Sequence, residues 1–128
     1  MQLFLLFSHR LTAEQQADAE SSLGVTDIRY LPEDLQARWS QVPPEPESVR
    51  PFAQPIWDWL AAEAQPGDYV MVQGDFGMSY ATVQEALRLG LIPVYATTRR
   101  ESSEVVTQDG QVKKTLTFKH VRFRRYGA

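Results

Sequence analysis

Ser8-His9-Arg10 directly follows one apolar run, Gln73-Gly74-Asp75-Phe76-Gly77 follows a second, and Thr97-Thr98-Arg99-Arg100-Glu101 follows a third. These residue types suit a phosphate-bearing ligand. Hydroxyls and guanidinium groups donate to phosphate oxygens, and arginine does so through a planar fork. A strand that turns through two glycines into a helix leaves backbone N–H groups unpaired at the positive end of the helix dipole, a natural seat for an anion. Asp75 can accept from a ribose hydroxyl or a base amino group, and Phe76 can stack on a base. Histidine ordinarily changes charge near neutrality, which makes His9 the candidate for moving protons. Ser8 can hydrogen-bond a phosphate, but nothing in the sequence supplies it with the activating base a nucleophile needs.

Each feature also has an ordinary reading. Two glycines at a strand end make a tight turn, a loop histidine is often structural, and Arg99 or Arg100 can pair with Glu101 or Glu104 in solvent to little effect. The glycine loop lacks the Gly-Lys-Ser/Thr ending of a Walker A motif, and it lacks the third glycine and distal acid of the dinucleotide fingerprint. His120, Arg122 and Arg124 alternate and are expected to share one strand face, either wetted or turned to a ligand. No metal site is expected. The two histidines are far apart, no HxH or HxxxH occurs, and the chain has no cysteine.

The elements that must position these residues are legible from hydrophobic pattern. Leu3–Phe7 is a continuous apolar run of strand length, the mark of a strand buried on both faces. Thr12 and Gln15 fit a capping box, and a helix from Ala13 to Leu23 should close at Gly24. Asp27–Leu31 reads as a second strand, and Pro32 opens a short helix through Trp39. The prolines of Val42–Glu47 make a rigid surface loop. A helix over Val49–Ala64 presents Phe52, Ile56, Trp59 and Leu60 at helical spacing as core. Tyr69–Gln73 is the third strand, and a helix over Tyr80–Leu89 buries Ala81, Val83, Ala86, Leu87 and Leu89. Leu91–Ala96 is the fourth strand. Asp109-Gly110 then joins two alternating runs in a hairpin, whose second strand the segment His120–Arg124 can continue. The order predicts one α/β domain over residues 1–128, a mostly parallel sheet flanked by helices with a C-terminal antiparallel β-hairpin. In such a sheet the three polar segments face one crevice at the carboxyl ends of the strands.

With 128 residues, 43% hydrophobic and 23% charged, the composition is that of an ordinary globular domain. No apolar run approaches the ~20 residues that span a bilayer. The apolar start lacks a basic leader, so a cytoplasmic protein without membrane association is expected. The net charge of −3 hides an asymmetry. Up to Ala96 five arginines face thirteen acids, whereas from Thr97 onward eight basic residues face three acids. The basic end suits a small polyanion, while the acidic remainder would repel a long nucleic acid.

Taken together, several blocks resemble a known family. They are Phe4–His9 with Leu11-Thr12, Tyr30–Gln36, Trp39-Ser40, Val72–Gly77, Val94–Glu101, and Phe118–Arg124 with Tyr126. This pattern is similar to the small CRISPR-associated accessory proteins of type III systems, stand-alone Rossmann-fold-like domains. The resemblance implies a homodimeric ring nuclease that binds a cyclic oligoadenylate messenger, cyclic tetra-adenylate foremost, and cleaves it to end an antiviral signal, with no cofactor. It places Ser8 and His9 in the loop after the first strand and Gly74–Met78 in the later glycine loop. That loop departs from the family's commoner Thr-Gly-Gly-Thr-Lys form and offers no lysine, so cationic work falls to Arg99, Arg100 or Arg122. The implied catalytic set is His9, Arg99 and Ser8. The implied binding set is Gln73, Gly74, Asp75, Phe76, Gly77, Met78, Thr97, Thr98, Arg100, His120 and Arg122. A cyclic tetranucleotide can share the two-fold symmetry of a dimer, and its own 2′-OH can act as nucleophile without a metal. A sink that holds the messenger without cutting it, a sensor module, and a partner-binding α/β domain are the alternative classes.

Overall fold

Leu3, Phe4, Leu5 and Leu6 are all buried because their strand has a packed layer on each side. The computed structural model describes residues 1–128. Its strands are β1 (Gln2–Leu6), β2 (Asp27–Tyr30), β3 (Tyr69–Val72), β4 (Ile92–Val106) and β5 (Val112–Arg125). They form one sheet in the order β2-β1-β3-β4-β5. The first three pairings are parallel and β4–β5 is antiparallel, so the architecture is α/β with a mostly parallel, mixed sheet.

The helices are α1 (Ala13–Ser22), α2 (Glu33–Ser40), α3 (Arg50–Glu63) and α4 (Phe76–Arg88). Phe4, Leu6, Val70 and Val72 point to the face covered by α2, α3 and α4, in a core with Trp39, Ile56, Trp57, Leu60 and Met78. Leu3, Leu5, Met71 and Val94 point the other way, onto Ala19 of α1 and Phe123 of β5. The capping box at Thr12 and Gln15 forms as expected, and Gly24 takes a φ of +69° just beyond α1. Asp68 ties the start of β1 to the turn before β3. Its carboxylate accepts from the backbone amides of Gln2 and Gln65 at 3.0 and 2.9 Å.

Three expectations need correction. The buried tryptophan of α3 is Trp57, whose indole donates to Thr82 of α4 at 3.0 Å, whereas Trp59 is only half-buried, edge-on to Phe4. Helix α4 begins at Phe76, four residues before the expected Tyr80, because Asp75 caps it. Leu87 is not core: it lies 59% exposed on the outer side of α4.

The largest difference lies in β4. It does not stop at Ala96 but continues to Val106, because β5 pairs with it along almost its entire length. Val94 is level with Met71 of β3, so twelve residues of β4 extend beyond that register. At ~3.3 Å per residue this makes a ribbon roughly 30–40 Å long, most of it free of the sheet. From Thr98 to Val106 and from Val112 to Lys119 every residue is exposed. Gly110, at φ +83°, closes the tip as the hairpin signal implied.

Candidate functional site at the carboxyl rim of the sheet

The strand order reverses at β1: the chain steps from it to β2 on one side and later returns as β3 on the other. Loops leaving β1 and β3 therefore run to opposite faces, toward α1 and α4, the arrangement that in open α/β sheets marks the usual ligand position. Backbone bonds hold the rim together. The amide of Gln73 donates to Leu6 O at 3.0 Å, which sets Phe7-Ser8 beside Gln73-Gly74. The Gln73 side chain accepts from the amide of Ala96 at 2.7 Å, which brings Thr97 to the same edge. The three segments separated in sequence thus meet at one rim.

Ser8, His9, Arg10, Gly74, Asp75, Phe76 and Gly77 are all exposed there. The His9 ring sits edge-on to Phe7, with centroids 5.4 Å apart. The Arg10 guanidinium covers the Tyr30 ring at 4.1 Å. Phe76 is 94% exposed, an unusual position for a phenylalanine.

Several residues do other work than expected. Gly74 is required by packing: a Cβ there would lie 2.8 Å from Nε1 of Trp39, whose indole donates to Gln73 O. Asp75 accepts from the amide of Met78 at 3.0 Å, so the chain's own carboxylate fills the anion seat at the start of α4. Met78 is fully buried and its side chain lies in the core, not in the crevice. Arg99 and Arg100 pair with Lys119 and Phe118 on the ribbon, about 10 Å or more beyond Ala96, rather than at the loop mouth. Thr98, opposite His120, begins that ribbon, while Thr97 stays at the rim and exchanges bonds with the backbone of Arg122.

His120, Arg122 and Arg124 do not share one face. A bulge at Val121 breaks the alternation, since Thr97 pairs with Arg122 but Thr98 pairs with His120. His120 turns to α1, where Nε2 lies 2.7 Å from Oδ2 of Asp18 and the side chain is 5% exposed. Arg124 instead bonds the Tyr95 hydroxyl and covers its ring. The Ser22 hydroxyl, donating at 2.6 Å, and then His120 hold the Asp18 carboxyl below its usual range, against the opposing effect of burial.

A feature that the sequence reading missed lies beside the rim. A groove of about 640 Å³ runs between the outer side of α4 and the pair Tyr95 and Tyr126, with Gln73, Phe76, Tyr80 and Leu87 on its walls. The Tyr126 hydroxyl donates to Val72 O, and burial, followed by the neighbouring Tyr95, raises its pKa. The signal available in sequence was the run Phe76, Tyr80, Val83, Leu87, whose spacing puts all four on one helical stripe. No three His, Asp or Glu side chains converge on a site able to hold a metal ion. No helix is long and apolar enough to cross a membrane.

The molecule is therefore an α/β protein with an open rim at the reversal of its strand order. The chain belongs to the family described as "Uncharacterized protein MJ1673 family", whose model matches residues 1–124. It is 44% identical over 124 residues to the Methanocaldococcus jannaschii protein described as "Uncharacterized protein MJ1673", covering 97% of this chain and 95% of that one. The comparison with solved structures gave no match.

Proposed function

We propose that this chain is a Rossmann-like, CRISPR-associated ring nuclease of type III systems, a cytoplasmic homodimer that binds and cleaves a cyclic oligoadenylate. The observation that carries the reading is the meeting of Ser8-His9, Gln73–Gly77 and Thr97 at the switch point of the sheet. The resemblance of sequence blocks gives the ligand class; cyclic tetra-adenylate matches a two-fold dimer best.

The chemistry is attack of a ribose 2′-oxygen on its adjacent phosphorus. The new bond closes a 2′,3′-cyclic phosphate, the bond from phosphorus to the 5′-oxygen breaks, and that oxygen leaves as a hydroxyl. His9 moves the proton between the two oxygens. Ser8 and the rim amides orient the phosphate, and holding the three reacting atoms in line supplies up to ~7–11 kcal/mol of the barrier lowering. Phe76 offers its exposed ring to a base, and Arg99 and Arg100 reach phosphates held between two copies.

The test is incubation with cyclic adenylates of several sizes in the presence of a chelator, with products resolved by chromatography. Linear products ending in a 2′,3′-cyclic phosphate are expected, and a 2′-O-methyl ring should resist. Turnover of the methylated ring would rule out this mechanism. A second reading, a sink or sensor that holds the messenger uncut, is favoured by one observation: Asp75 occupies the anion seat at α4, leaving fewer donors for a developing charge. Tight binding without products would select it.

A further inference from the structure

The groove between α4 and the tyrosines of the sheet is walled by rings. Phe76 and Tyr80, 94% and 69% exposed, stand one turn apart on the α4 side. Tyr95 and Tyr126 form the opposite side, their centroids 4.8 Å apart and their planes tilted by 57°. The Tyr95 hydroxyl accepts from the Arg124 guanidinium and the Tyr126 hydroxyl donates to Val72 O, so what the groove receives from them is ring surface. None of the lining residues is charged. A phosphate gains nothing inside, whereas a flat neutral ring gains stacking and burial. At about 640 Å³ the groove has room for a base with its ribose but not for a whole tetranucleotide ring.

Two polar groups on the walls await a partner. The Ser79 hydroxyl is shut off from water and makes no hydrogen bond within the chain. An unpaired buried hydroxyl is costly, and a ligand atom that meets it removes the cost. Gln73 is engaged on every side but one. Its backbone amide donates to Leu6 O, its carbonyl accepts from the Trp39 indole, and its side-chain oxygen accepts from Ala96 N. The remaining side-chain NH2 can only donate.

We propose that this groove seats the base of the nucleotide whose phosphate lies at the rim, and that Gln73 makes the seat selective for adenine. Gln73, Gly74 and Phe76 belong to both rim and groove, so one nucleotide reaches from the first to the second. The base lies among Phe76, Tyr80, Tyr95 and Tyr126. The Gln73 NH2 donates to adenine N1, and the Ser79 hydroxyl accepts from the N6 amino group. Guanine and hypoxanthine carry a hydrogen on N1, which sets donor against donor. The seat presupposes the nucleotide reading of the rim and adds to it the residues that choose the base.

The test titrates the full chain with adenosine and inosine 5′-monophosphates, followed by backbone amide NMR shifts and calorimetry. Adenosine monophosphate should shift the amides of residues 79, 80, 95 and 126, and inosine monophosphate should bind about tenfold more weakly. Tyr80→Ala should weaken adenosine monophosphate about tenfold through lost stacking. Ser79→Ala should weaken it about fivefold while leaving the thermal melt unchanged or raised, because the hydroxyl it deletes is unpaired in the free chain. Gln73→Glu keeps an acceptor for Ala96 N but turns the free donor into an acceptor, so the preference should move toward inosine monophosphate. Silent groove amides at millimolar nucleotide, equal affinity for the two nucleotides, or a preference unmoved by Gln73→Glu would overturn the seat. Cleavage of cyclic tetra-adenylate is followed in parallel. Adenosine monophosphate seated in the groove of a chain that leaves the ring intact sinks the nuclease reading alone. Ring cleavage undiminished by Tyr80→Ala, with the groove amides silent, sinks the seat alone.

Discussion

The rim and the ribbon carry similar side chains in opposite surroundings. At the rim, Gln73, Gly74 and Asp75 are each fixed by a specific partner: an amide of β4, the face of Trp39, and an amide of α4. On the ribbon, Arg99, Arg100, Lys113, Lys114 and Lys119 project from two strands that have each other but no layer beneath them. The body thus supplies preorganised positions, and the ribbon supplies exposed charge. A catalytic geometry needs the first, whereas long-range attraction of a polyanion needs only the second.

The largest expected effect sharpens the rim's side of this contrast. Trp39→Ala should cost about 3–5 kcal/mol in chemical denaturation, because it empties core beneath the glycine loop and releases Gln73 O. Gly74→Ala should cost about 1–3 kcal/mol, since its methyl would press on the indole; an unchanged midpoint would show that the loop is not held by Trp39.

Asp68→Ala should cost about 2 kcal/mol at neutral pH through loss of its charged hydrogen bonds. Burial alone would raise the Asp68 pKa, but the amides of Gln65 and Gln2 outweigh it and leave the carboxyl lowered in the folded state. Its contribution is therefore complete above the ordinary carboxylate pKa of ~3.9 and disappears as pH falls through the lower folded value. Wild type and Asp68→Ala stabilities should converge along that acid limb; a constant gap would mean the carboxylate's charge plays no part. Asp75→Ala should cost about 1 kcal/mol as a lost cap. The smallest effect belongs to the ribbon, where Phe118→Ser should change stability by less than about 0.5 kcal/mol, and a larger loss would show that the ribbon is packed after all.

The same contrast explains what was readable in the chain. Apolar runs and caps announced β1, α1 and the hairpin turn, since continuous burial and the Thr12–Gln15 box are local signals. The length of β4 was not readable, because Thr97–Glu101 looks like a polar loop until β5 pairs with it residue by residue. The fate of His120 was hidden for a related reason: one bulged residue, Val121, sends it to Asp18, 102 positions away. The family resemblance puts Met78 in the glycine loop, and a helix starting at Tyr80 leaves Asp75 as an exposed loop carboxylate. Moving that boundary to Phe76 turns Asp75 into a cap and Met78 into core.

Hydrogen–deuterium exchange of the full chain, with and without cyclic tetra-adenylate, tests the central claim most directly. Binding at the rim predicts new protection in residues 7–10, 73–77 and 95–98, with the ribbon tip around Asp109 still exchanging freely. Protection confined to residues 99–119, or none at saturating ligand, would contradict it.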